Sequence, residues 1–145
     1  MSAQPPVVSL APVPQEFEGH HIPTIMYKDR PWRVIYIAGP YRGADAWEIE
    51  QNVRKAEGAG LQVAKLGAAP LIPHSMTRFF QGTCTDEYWL RATLELLHRS
   101  DAILLLHGWQ KSIGATAELG EAKRLGLPYF TQLEELQRWL TEVAP

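Results

Sequence analysis

Apolar positions along this chain come in short blocks whose spacing changes from one block to the next. Arg33 to Ala38 (RVIYIA) and Ala102 to Leu106 (AILLL) are unbroken runs too short for helices, and such runs, bounded by turn residues, read as strands buried on both faces. The first opens straight into Gly39-Pro40-Tyr41-Arg42-Gly43, a turn-rich loop of the kind that starts a βαβ unit. From Asp45 to Leu66 the residues Ile49, Val53, Ala56, Leu61, Ala64 and Leu66 keep a roughly helical period, and a long helix is the reading despite Gly58 and Gly60. Ala68 to Ile72 gives a short second strand. Pro73-His74-Ser75 then leads into an irregular loop through Phe79, Phe80 and Gly82, and Asp86 to His98 resumes a helical pattern on Trp89, Leu90, Thr93, Leu94 and Leu97. After the central strand, a loop with Gly108, Ser112 and Gly114 precedes a helix on Ala115, Leu119, Ala122 and Leu125 that stops at Gly126. Pro128 to Thr131 is a last short strand, and Leu133 to Val143 an amphipathic helix.

Strands alternating with helices imply crossover connections and a parallel sheet covered on both faces. The expected architecture is a small doubly wound α/β domain, Rossmann- or flavodoxin-like, of four or five strands, occupying residues 31–145. Residues 1–30 differ: Pro5, Pro6, Pro12, Pro14 and Pro23 interrupt a segment without helical period, which reads as an extended or disordered arm.

Composition narrows the function. The net charge of −2, with Lys and Arg dispersed, lacks the basic footprint of a nucleic-acid polymer binder and favours a small-molecule partner. The single cysteine, Cys84, excludes an intramolecular disulfide framework. No apolar run is long enough for a membrane span and the N-terminus lacks a signal-peptide pattern, so the expectation is a soluble, cytoplasmic protein. The adjacent His20 and His21 have no partner at ligand spacing, and neither GxGxxG nor GxxxxGK[ST] occurs; no metal or organic cofactor is expected.

In a parallel sheet, three loops meet at the carboxyl edge, where ligands bind: residues 39–43, 73–80 and 107–120. They gather Arg42, His74, Ser112, Glu118 and several aromatic side chains, a mixture suited to a phosphorylated or sugar-bearing aromatic ligand. Glu118 lies close to the first turn of its helix, whose dipole favours an ionised carboxylate by roughly 0.3–1 kcal/mol.

The segments IYIAGPYRG, PH..TRFF and SDAILLLHGWQKS.GA..ELGEA resemble the nucleoside 2-deoxyribosyltransferase superfamily, including its deoxynucleoside 5′-monophosphate N-glycosidase branch and a poorly characterised, often phage-borne, branch. The resemblance spans about residues 33 to 130. It implies cleavage of the base–deoxyribose bond of a deoxynucleoside or its monophosphate, or transfer of the deoxyribosyl group, with Glu118 at the nucleophile position. It also implies Tyr36 beside the nucleophile, and Gly39, Tyr41, Arg42, Gly43, His74, Trp109, Ser112 and Gly114 around the substrate, Arg42 and Ser112 on the 5′-phosphate. Each has a structural alternative: a carboxylate complementing the helix dipole for Glu118, a core tyrosine for Tyr36, a solvated charge for Arg42, a loop hydrogen-bonder for His74 and a helix cap for Ser112. Trp109, Phe79 and Phe80 either stack on a base or pack.

The sequence departs from the family pattern in one place. Where the family usually carries an acid/base aspartate, this chain has Thr93, which cannot protonate a leaving base. Asp86, Glu87 and His74 are candidate stand-ins, Asp86 and Glu87 having helix N-terminal acids as their alternative. The competing function is therefore a nucleotide-binding module without turnover. Family enzymes complete their sites across subunits, so a homodimer or higher homo-oligomer is expected.

Overall fold

A computed structural model of the protein describes residues 32–142; the proline-rich arm expected over residues 1–30 lies outside the described residues. Strand β1 (Val34–Ala38) lies between β2 (Ala69–Leu71) and β3 (Ala102–Leu105), and β4 (Tyr129–Phe130) pairs with β3. All pairings are parallel and the strand order is β2-β1-β3-β4. In register, Tyr36 lies beside Ile103 and Ala38 beside Leu105. Asp101 anchors the start of this pair, its carboxylate accepting the Val34 N–H at 2.7 Å.

The continuity of the two apolar runs reflects burial on both sides. Ile35, Ile37, Ala102 and Leu104 face the helices α1 (Ala46–Lys65) and α5 (Leu133–Glu142), where Ala56, Val63, Leu136 and Leu140 complete one core. Tyr36, Ala38, Ile103 and Leu105 face α3 (Asp86–His98) and α4 (Ile113–Arg124), meeting Leu97, Ala115, Leu119 and Ala122. Tyr36 is the one residue of this strand pair to put a polar group into either core, so its hydroxyl sits where an Ile would be simpler to bury.

Helix α1 is long in spite of its glycines because Asp45 and Glu48 cap it. The Asp45 carboxylate accepts the Glu48 N–H at 2.9 Å, and the Glu48 carboxylate accepts that of Ala44 at 2.6 Å. Two expectations change. The stretch after Pro73 is not wholly irregular: Pro73–Met76 form a short helix, α2, whose first residue has a ring already set for helical φ. Helix α4 starts at Ile113 rather than at Ala115, because the Ser112 hydroxyl caps it by accepting the Ala115 N–H at 3.1 Å. The loop after α2 is tied to α1 by Arg78, whose guanidinium pairs with Glu50.

Candidate functional site

Connections from β1 and β3 leave the sheet in opposite directions, β1 through α1 to β2 and β3 through α4 to β4. The carboxyl ends of these adjacent strands thus form the switch point at which open α/β sheets bind ligands. The two loops approach closely: a Cβ added to Gly39 would lie 2.8 Å from that of Leu106. Gly108, opening the turn Trp109–Lys111, has φ 85°, a left-handed conformation that favours glycine.

Two side chains fix the β1 loop by its carbonyls. His74 Nε2 lies 3.2 Å from the Gly39 oxygen and 3.1 Å from that of Pro40, and Asn52 Nδ2 donates to the carbonyls of Tyr41 and Arg42, each at 3.1 Å. Two carbonyl acceptors place the imidazole proton on Nε2, leaving Nδ1 as a lone-pair acceptor. Burial pushes the His74 pKa below its ordinary value against the opposing pull of those carbonyls, so the ring is neutral. Its Nδ1 is buried without a hydrogen-bond partner, and so is the Tyr41 hydroxyl, whose ring sits edge-on to His74 at 5.8 Å. Gly43 packs against Glu48.

Beneath this loop, Glu118 from α4, Tyr36 from β1 and Thr93 from α3 converge. The Tyr36 hydroxyl is buried and makes no hydrogen bond of good geometry, yet Glu118 and Thr93 are near enough to act on its ionisation. Burial drives its pKa upward, and the Glu118 charge adds to the rise. Burial likewise pushes the Glu118 carboxyl up to about 7, partly offset by the Tyr36 hydroxyl. The helix dipole does not hold the carboxylate in its ionised form, contrary to the sequence expectation. Because α4 begins at Ile113, Glu118 falls in the second turn, beyond the reach of the terminal dipole, and desolvation dominates. The Glu118 side chain folds back toward the helix start: a Cβ added to Gly114 would lie 3.7 Å from its Oε1 and 3.9 Å from Ser112 Oγ. The Thr93 hydroxyl donates to the Leu90 carbonyl at 3.0 Å.

At the rim, Arg42 is exposed and forms an ion pair with Asp86 at the start of α3. Asp86 precedes Thr93 by about two helical turns, roughly 10 Å along the axis, and is exposed; Glu87 beside it is exposed as well. Ser112 keeps a hydroxyl proton beyond its capping role, next to a shallow concavity that it lines with Lys111, Ile113 and Thr116. Trp109 packs on the core cluster below α4. Phe80 stacks on Trp89 at 5.5 Å, whereas Phe79 is 85% exposed under the Arg78 guanidinium.

Among the described residues, no group of three or more His, Cys, Asp or Glu is placed to hold a metal ion, and no helix is long and apolar enough to cross a membrane. Cys84 is free and exposed. Asn52 was not legible as a loop anchor in the sequence; its one signal is a poor helix former in mid-helix. Trp89 reads there only as part of a helical face, yet its buried Nε1 has no hydrogen-bond partner.

The fold is that of a 2-deoxyribosyltransferase from the psychrotolerant bacterium Bacillus psychrosaccharolyticus, to which the chain is similar with a TM-score of 0.51 at 20% identity, covering 66% of this chain and 69% of that one. No curated protein matches the sequence. A domain family of unknown function matches residues 33–131, from the first strand through the last and across every element that builds the crevice. By that match the chain belongs to the family described as domain of unknown function DUF4406.

Proposed function

We propose that this protein cleaves the base–deoxyribose bond of a deoxynucleoside 5′-monophosphate, or transfers its deoxyribosyl group, with Glu118 as nucleophile. The observation that carries this reading is the half-buried Glu118 carboxylate beside Tyr36 at the switch point of the sheet. A desolvated carboxylate is poised for an electron-poor carbon: it stabilises an oxocarbenium-like state or captures it as a glycosyl ester. In the first step the Glu118 oxygen bonds to the anomeric carbon, the C–N bond breaks, and its electron pair leaves with the base. In the second, water adds at that carbon as the bond to the Glu118 oxygen breaks, which frees the carboxylate, and the proton the water sheds goes to the departed base or to solvent; an acceptor base in place of water gives transfer. Tyr36 favours the ionised carboxylate before it attacks and again after it is released.

The phosphate assignment rests on Arg42 and Ser112, a guanidinium and a hydroxyl at a helix start, both suited to an anion. Hydrolysis of monophosphates is preferred over base exchange on that ground. Proton delivery to the base is the weak part of the machinery. The Thr93 proton goes to a backbone carbonyl, the His74 proton to two, and Asp86 is engaged by Arg42. A general acid typically contributes 10²–10⁴-fold, so turnover is slow. The same observation favours a second reading, a nucleotide-binding module without turnover. Phe79, Phe80 and Tyr88, all exposed, support assembly into a homodimer or higher homo-oligomer; a monomer by light scattering contradicts that.

The test is chromatography of each deoxynucleoside 5′-monophosphate and the matching nucleoside after incubation with the protein, with and without an acceptor base. Release of free base establishes the reaction and names the substrate. A nucleotide that raises the melting temperature without release of base establishes the second reading.

A further inference from the structure

Arg42 is the cation that the proposed function gives to the phosphate, and in the structure its guanidinium is taken by Asp86. The two residues come from different parts of the chain. Arg42 stands on the loop after β1, held by Asn52 through its own carbonyl; Asp86 is the first residue of α3, directly after the capping Thr85. Both loop and helix start lie at the carboxyl edge of the sheet, the edge at which the loops of the candidate site meet. One Asp86 carboxylate oxygen occupies a guanidinium nitrogen of Arg42 that a phosphate oxygen would use. An incoming phosphate must therefore displace Asp86, and while Asp86 stays close it meets a like charge.

We propose that Asp86 is a competing counter-ion that holds Arg42 in the unliganded protein and sets how strongly the site prefers phosphorylated over unphosphorylated ligands. This rests on the reading of Arg42 as a phosphate ligand. It gives Asp86 a role other than an acid for the leaving base, consistent with its exposed position two helical turns from Thr93. A ligand without phosphate leaves the Arg42–Asp86 pair intact; a phosphorylated one exchanges it for a pair with itself. The exchange is cheap, because both side chains are largely exposed and exposed ion pairs are weak. Asp86 thus tunes selectivity rather than blocking the site.

The experiment is calorimetric titration of the full chain with inorganic phosphate and with deoxyribose 5-phosphate, on wild type, Asp86→Asn, Arg42→Gln and the double variant. Asn at position 86 keeps the size and the exposed setting, and Thr85 still caps α3, so the fold is retained. The expected result is phosphate binding tightened about two- to fivefold by Asp86→Asn, the range an exposed ion pair can hold back, with no such gain when Arg42 is already Gln. Three results overturn the proposal: unchanged or weaker binding in Asp86→Asn, or a gain that persists without Arg42. If Arg42→Gln weakens binding while Asp86→Asn does nothing, the competition falls and the phosphate reading stands. If Arg42→Gln binds phosphate as wild type does, the assignment of Arg42 to phosphate falls with it.

Discussion

Replacing Glu118 with Gln should make the protein more stable at alkaline pH, and the structure says by how much. Burial holds the Glu118 carboxyl at about 7 against an ordinary value of 4.5, which at ~1.36 kcal/mol per pH unit costs the folded, ionised state on the order of 3 kcal/mol. A folded pKa raised above its unfolded value stabilises the fold fully below about 4.5, and this contribution is lost as pH rises through about 7. Gln is uncharged at every pH, nearly the same size, and still presents an oxygen to Tyr36. Urea unfolding of wild type and Glu118→Gln at pH 5.0 and pH 8.5 isolates the effect, since every other titrating group is common to both chains. The stability advantage of the variant should grow by about 2–3 kcal/mol from the lower to the higher pH. A constant difference between the two pH values would refute the claim that Glu118 is desolvated, and with it the reading of a carboxylate held ready at a cost in stability.

Three more outcomes can be checked. The value of kcat/KM should rise with pH through about 7 and level off above it, because the nucleophile must lose its proton; a profile flat from pH 5 to 9 contradicts this. Gly39→Ala should destabilise by about 1–3 kcal/mol in denaturant unfolding, since its methyl group would press on Leu106. Asn52→Ala frees the carbonyls of Tyr41 and Arg42 and should raise KM for the substrate about tenfold, corresponding to ~1.4 kcal/mol of lost loop positioning, while leaving kcat within a factor of about three; steady-state kinetics decides.

How much of this was legible in the chain depends on the range of the interaction. The strands β1 and β3 announce themselves because burial on both faces leaves the Tyr36 hydroxyl as the one polar side-chain group in them, and the order of elements followed from the alternation of blocks. The loops that meet at the switch point were equally readable, since turn residues follow each apolar run. The apolar period did not mark the start of α4, because Ile113 is 89% exposed and Gly114 breaks it; the boundary is set by the capping hydroxyl of Ser112, which was one of the readings of that residue. The Asn52 anchor leaves no periodic trace, and for His74 a loop hydrogen-bonder was one of the two readings, with the Gly39 and Pro40 carbonyls it reaches hidden because they lie far off in sequence. The protonation of Glu118 differs from expectation for a related reason: dipole effects can be read from local sequence, whereas desolvation of the carboxyl arises only from tertiary packing.

The reading stands or falls on Glu118 as the group that opens the glycosidic bond. For the monophosphate that releases base fastest, the rate of release should be compared between wild type and Glu118→Ala at saturating substrate and pH 8, with both chains shown to be folded. Loss of the nucleophile should lower the rate by about a thousandfold or more. A Glu118→Ala variant that keeps its rate within about tenfold of wild type would contradict the assignment and leave the half-buried carboxylate without a role in bond cleavage.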